Sequence, residues 1–279
     1  MKVTINAIRA CAVATALVAA FVLPTSSSAN HQWGNYHWAR QSNPFTVKLG
    51  DNVSSTWDSY LATASSDWSA SSVLNTTVVT GNGSKPRRCT PTSGRVEICN
   101  TTYGQNGWLG IASIWANGDH ITQGTVKMND TYFNLAQYNT PAWRRLVMCQ
   151  EVGHTFGLDH QDETFNNVNL GTCMDYTDDP DGGAGGASNN DPANEHPNSH
   201  DYAELESIYQ HLDSSTTVGF TLGSSEQDID TNDPREWGYA VRANNAGRAI
   251  LFERDLGQGR RLFTFVYWAD DRMNGHHPE

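Results

Sequence analysis

The sequence predicts an α+β fold: strands and helices in one main domain, among them a helix that carries the chemistry, and a C-terminal β-hairpin appendage. Three observations carry that prediction. Strand-type and helix-type runs follow one another from Phe45 to Leu212 in the order strand, helix, several strands, helix. The segment from Pro141 to Phe156 carries start and stop signals at its two ends. Two β-type runs, Arg248 to Glu253 and Leu262 to Trp268, are separated by Asp255-Leu256-Gly257-Gln258-Gly259, a turn-rich connector that reads as a hairpin.

The elements follow in order. Residues 1–29 read as an export signal peptide, with Lys2 and Arg9 at its start, an apolar run from Ala10 to Leu23, and Ser27-Ser28-Ala29 as a small-residue cleavage site. A main domain at 30–213 and a β-rich extension at 214–279 complete the division. Within the main domain Phe45 to Leu49 reads as a short strand, and Ser54 to Ser69 as an amphipathic helix carrying Trp57, Leu61 and Trp68. Val73 to Thr80, Val96 to Thr102, Leu109 to Trp115 and Gly124 to Met128 are further strand signals. Asp201 to Leu212 places Tyr202, Leu205, Ile208 and Tyr209 at helical spacing. In the extension, the hairpin is expected to pack on the domain through Trp237, Phe252, Phe263 and Phe265.

The helix at Pro141 carries the chemistry. Thr140 suits an N-cap, Pro141 suits the first helical position, and Trp143, Leu146, Val147 and Val152 recur at helical spacing. Residues four apart share a face, so Gln150 and His154 point the same way with Glu151 beside them. Gly157 ends the helix and lets the chain return with His160. Downstream stands Gly171-Thr172-Cys173-Met174-Asp175-Tyr176.

These stretches resemble the signature and the Met-turn of the metzincin clan of zinc metallopeptidases, with a matrixin-like cast, over roughly residues 40–213. Gln150 stands where the pattern has its first histidine; Glu151, His154, Gly157 and His160 match it. The resemblance implies that residues 30–213 are a metzincin-like catalytic domain, built on a twisted, mostly parallel sheet with an active-site helix and Met-turn, in which Gln150, His154 and His160 hold one catalytic Zn2+. It further implies Met174 as the base of the Met-turn beneath the metal. Glu151 is then the general base towards a zinc-activated water, and Tyr176 an oxyanion donor. Leu109 to Trp115 is by the same resemblance the edge strand against which an extended peptide lies. Zinc favours imidazole and thiolate, so an amide oxygen at Gln150 weakens the site while keeping reach and charge.

Cys89, Cys99, Cys149 and Cys173 lie beyond the leader, and three pairings are open; Cys89–Cys99 and Cys149–Cys173 are favoured, the second tying the helix to the Met-turn. His120, His196 and His200 are reserve nitrogen ligands. Asp178, Asp179 and Asp181 leave a structural Ca2+ open, although no twelve-residue calcium loop is present.

Composition narrows the partners. The chain has 18 basic and 30 acidic residues, a net charge of −12, which disfavours nucleic acid. No stretch beyond the leader is long and apolar enough to span a bilayer. Together with the resemblance, these features lead to the expectation of a secreted, extracellular, monomeric endopeptidase, a hydrolase acting on a protein or peptide substrate without nucleic acid or membrane. The alternative is a catalytically weak or inactive metzincin-fold module that binds peptide or metal.

Overall fold

A computed structural model of the chain describes residues 1, 31–183, 190–220 and 229–269. Apart from Met1, the expected leader at 1–29 lies outside the described residues, as does part of the glycine run after Asp181.

The elements run β1 (His37–Trp38), β2 (Phe45–Asn52), α1 (Asp58–Trp68), β3 (Leu74–Thr80), β4 (Val96–Thr101), β5 (Trp108–Asn117), β6 (His120–Asn129), α2 (Asp130–Phe133), α3 (Pro141–His154), α4 (Ser199–Ile208), β7 (Tyr239–Ala243), β8 (Ala249–Gly257) and β9 (Arg260–Trp268). The strands form one mixed sheet in the order β3-β2-β4-β6-β5-β9-β8-β7, with β1 also paired to β6. The fold is α+β.

Two expectations need correction. The sheet is parallel from β3 through β6 but antiparallel at β5–β6, β5–β9, β9–β8 and β8–β7. The C-terminal hairpin is therefore no appendage: with β7 it continues the same sheet. The physical reason is an open hydrogen-bonding edge on β5 that β9 fills along its whole length, from Trp108 opposite Trp268 to Asn117 opposite Arg260.

Burial follows the pleat. Phe45, Val47 and Leu49 are buried while Thr46 and Lys48 face solvent, the alternation of a half-covered strand. On β5 nearly every residue is buried because both faces are covered. Ala112 and Ile114 meet the main core, which also takes in α1, α3 and α4; Ile111 meets a smaller cluster of Tyr103, Trp108, Trp237 and Val266 on the opposite face. Trp68 joins the layers, donating its indole N–H to the Cys149 carbonyl at 3.1 Å. Each large apolar side chain buried in this way contributes roughly 2–3 kcal/mol.

Two glycines set the height of α3. A Cβ at Gly110 would stand 2.5 Å from Val147 Cγ1 and 2.9 Å from Glu151 Oε1, so α3 lies directly on β5. A Cβ at Gly153 would stand 2.7 Å from both Met174 Sδ and Trp68 Cζ2, so the methionine turn closes tightly under the helix end.

Candidate active site

α3 begins as its sequence requires: the Thr140 hydroxyl accepts from the Trp143 N–H at 3.3 Å, and Pro141 follows at the first position. It ends at His154, and Gly157 turns the chain with φ +100°; a Cβ there would meet the Tyr36 carbonyl at 2.6 Å. That turn brings His160 back beside His154, ring centroids 4.7 Å apart and perpendicular. The His160 ring lies 5.4 Å from the Tyr176 ring.

The hydrogen bonds of the cluster aim specific atoms. His154 donates Nδ1–H to the Leu158 carbonyl at 2.8 Å, which leaves its Nε2 lone pair free. Burial pushes the His154 imidazole down to about 3, and burial together with neighbouring His154 holds His160 well below its usual range, so both rings are neutral. Gln150 donates Nε2–H to the carbonyls of Cys173, at 2.8 Å, and Asp175, at 3.4 Å. Its Oε1 is buried without a hydrogen-bond partner, as is His160 Nδ1. An orphaned amide oxygen in a closed interior costs about 1–3 kcal/mol. It is also the only atom a glutamine can offer a cation.

The turn beneath is equally tied. Gln161 N–H donates to the Met174 carbonyl at 2.7 Å, Met174 N–H to the Thr172 hydroxyl at 3.0 Å, and Thr172 in turn to Asp201 on α4 at 2.5 Å. Cys149 is bonded to Cys173 (S–S 1.96 Å) and Cys89 to Cys99 (2.01 Å). The first of these staples α3 to the turn across 24 residues, worth about 3 kcal/mol on chain-entropy grounds.

Glu151 is fully buried, and burial pushes its carboxyl well above the usual carboxylate range; the backbone of Tyr267 and Ala112 opposes this shift, but neither carboxyl oxygen makes a hydrogen bond of normal geometry. Tyr176 does not point a free hydroxyl into the cluster: its oxygen accepts from the Trp268 N–H at 2.8 Å, and its ring stacks on Tyr267 at 4.5 Å.

The strand expected to receive a peptide is not an edge. β5 is paired on one side with β6 and on the other with β9, and β9 also roofs the cluster. Phe265 lies over His154 at 4.0 Å and 12° from parallel, and Tyr267 covers Tyr176. Gln150, Glu151, His154, His160 and Tyr176 are all buried as a result. Arg242 on β7 adds an ion pair to Asp159, which lies next to His160. The β-type character of Leu262 to Trp268 is legible in the sequence; its partner strand, more than a hundred residues away, leaves no local mark.

The reserve histidines separate. His196 bonds Asp67 at 2.7 Å, and His200 stacks on His31 at 4.9 Å, whereas His120 stands in a different cluster with His37 and Asp213.

No family model matches the sequence, and no curated protein matches it. Among solved structures, the chain is similar to high choriolytic enzyme 1, a hatching-enzyme zinc-protease from Oryzias latipes (Medaka fish). The TM-score is 0.37 and the identity 11%, over 65% of this chain and 98% of that one, a likeness too low to carry an argument about function.

Proposed function

We propose that the chain is a secreted zinc-dependent endopeptidase whose site is Gln150, His154 and His160, with Glu151 as the proton acceptor. The observation that carries the reading is the state of the Gln150 amide. Its nitrogen is spent on two carbonyls of the methionine turn, its oxygen is buried and unpartnered, and it sits one helical turn from a neutral imidazole with a free Nε2. These residues fit a divalent ion of the zinc class: two nitrogen donors and one oxygen donor, with Gln150 and His154 each oriented by hydrogen bonds to backbone carbonyls. Zinc in such a site supplies Lewis-acid polarisation of a peptide carbonyl and lowers the pKa of water.

The chain's own residues do the rest. Glu151, adjacent to Gln150 on α3, accepts a proton during attack and returns it to the leaving amine. Tyr176 donates a hydrogen bond from its hydroxyl to the developing oxyanion once it is released from Trp268. Met174 and the Cys149–Cys173 bond fix the floor. β9 lies along β5 as an extended peptide would, so a substrate must displace it; the described form is a latent one.

The covered site also favours a second reading, a metal-binding module that keeps the fold and hydrolyses little. Zinc-dependent cleavage of quenched peptides by wild type and Glu151→Gln separates the two. The endopeptidase reading expects loss of roughly a hundredfold in turnover in the variant with zinc retained. Equal turnover in both proteins removes Glu151 from the reaction.

A further inference from the structure

A second constellation of ligand-type atoms, sharing no residue with α3, lies at the junction of three chain segments. His37 on β1, His120 at the start of β6, and His211 and Asp213 beyond α4 converge there. His37 Nε2 is 3.4 Å from Asp213 Oδ1, and His120 Nε2 is 3.3 Å from the same oxygen. His211 Nε2 is 3.7 Å from that oxygen and 3.2 Å from His37 Nε2. The rings of His120 and His211 both stand edge-on to His37, each at 85°.

Two features point to a cation instead of a simple hydrogen-bonded cluster. The first is spacing. A charge-assisted N–H···O bond prefers about 2.7–2.9 Å, and one carboxylate oxygen facing three imidazole nitrogens at 3.3–3.7 Å is poorly served by such bonds. Ligands about 2.0–2.1 Å from a tetrahedral zinc lie about 3.3–3.4 Å from one another, close to the 3.3 and 3.4 Å from Asp213 Oδ1 to His120 and His37, with His211 within 3.2 Å of His37 and 3.7 Å of Asp213. The second feature is orientation. His37 Nδ1–H donates to the Asn35 carbonyl at 2.7 Å, so a neutral His37 presents a bare Nε2 lone pair, facing another ring nitrogen, His211 Nε2. Asp213 Oδ2 is occupied by the Arg40 guanidinium at 2.9 Å and the Arg40 N–H at 3.1 Å, which turns Oδ1 inward. Arg40 also binds the His211 carbonyl, fixing the whole His211–Asp213 segment. Ligands held by outer carbonyls and charged partners are the pattern of a built metal site.

We infer that His37, His120, His211 and Asp213 form a binding site for a zinc-class divalent cation, separate from the α3 cluster. Three imidazoles select against calcium and magnesium, which take oxygen ligands. The cluster borders a polar cleft lined by Asn35, Asp119 and Gln210, so an ion has a path in from solvent. Bound there, the ion clamps β1, the β5–β6 turn and the chain leaving α4, the segment that leads on to the C-terminal strands. This inference uses no residue of the hydrolase reading and does not rest on it.

The test is zinc titration of the full chain against a competing chelator, with cobalt substitution read by its visible absorption. His120 and His211 are partly exposed, with side chains 38% and 51% accessible, so His120→Ala and His211→Ala leave the core intact. Wild type is expected to show a tetrahedral cobalt band and a zinc-binding class that weakens roughly a hundredfold in His120→Ala and in His211→Ala, a direct ligand being worth at least as much as the outer partners that cost 10–100-fold. That class should persist in His154→Ala. Zinc should also raise the melting temperature of wild type more than that of His120→Ala, by mass action on the folded state. Unchanged zinc stoichiometry, affinity and melting shift in both surface variants overturns the site.

Discussion

Phe265 lies face to face with His154, ring centroids 4.0 Å apart and 12° from parallel. One side chain of the last strand thus covers the imidazole that the helix presents, and it does so from a strand that also fills the hydrogen-bonding edge of β5. Closure of the site and completion of the sheet are one contact surface.

Removing that cover should trade stability for access. Phe265→Ala leaves a cavity beside His154 and is expected to cost about 3–5 kcal/mol in chemical denaturation, while raising cleavage of short peptides by the zinc-loaded protein. Phe265→Leu should show a smaller shift in both directions. If denaturation shows the cost and peptide turnover stays at the wild-type level in both variants, β9 is a structural strand and not a cover.

Gln150 offers a substitution expected to gain function. Gln150→His replaces an amide oxygen by imidazole, and zinc affinity should rise tenfold or more, equivalent to about 1.4 kcal/mol. Gln150→Ala should lose zinc and leave the Cys173 and Asp175 carbonyls without their donor, at a stability cost of about 1–3 kcal/mol. Identical zinc affinity in wild type and Gln150→His would mean that the amide never faces the ion.

A pH prediction comes from the other face of the sheet. Lys127 is buried on β6, donating to Thr231 Oγ1 at 2.7 Å and Asn232 Oδ1 at 2.9 Å. Burial lowers its ammonium from 10.5 to about 7, with Asp230 opposing. Between those values the unfolded chain binds more protons than the folded one, so stability rises with pH across that window. From about pH 7 to about pH 9 the gain is about 2 kcal/mol. Denaturation midpoints of wild type and Lys127→Met across that range check it: the wild-type curve should climb relative to the variant, and parallel curves would show Lys127 charged throughout.

Much of the fold is legible in the sequence, and the boundary is physical. α3 is legible because its signals are local: Thr140 caps it, Pro141 starts it, Gly157 stops it, and the ends found, Pro141 and His154, fall within the expected segment. The β2 strand and α1 are legible for the same reason, through Phe45, Val47 and Leu49 at period two and Leu61 and Trp68 on one helix face. Pairing of β9 with β5 is not, because it depends on which distant edge is free, and a β-type run such as Leu262–Trp268 names no partner. Antiparallel completion of the sheet, the burial of Glu151 and the engagement of Tyr176 by Trp268 all descend from that one pairing. The cluster of His37, His120, His211 and Asp213 leaves no local mark for a similar reason: its members come from three segments with no shared spacing.

Whether His154 and His160 hold zinc is decided by zinc content measured by elemental analysis. Protein is prepared without chelator in the His120→Ala, His211→Ala background, so that only the α3 cluster is at issue, and compared with the same protein carrying His154→Ala and His160→Ala. About one zinc per chain is expected in the first and none in the second. Equal zinc in the two proteins, or none in either, would contradict it.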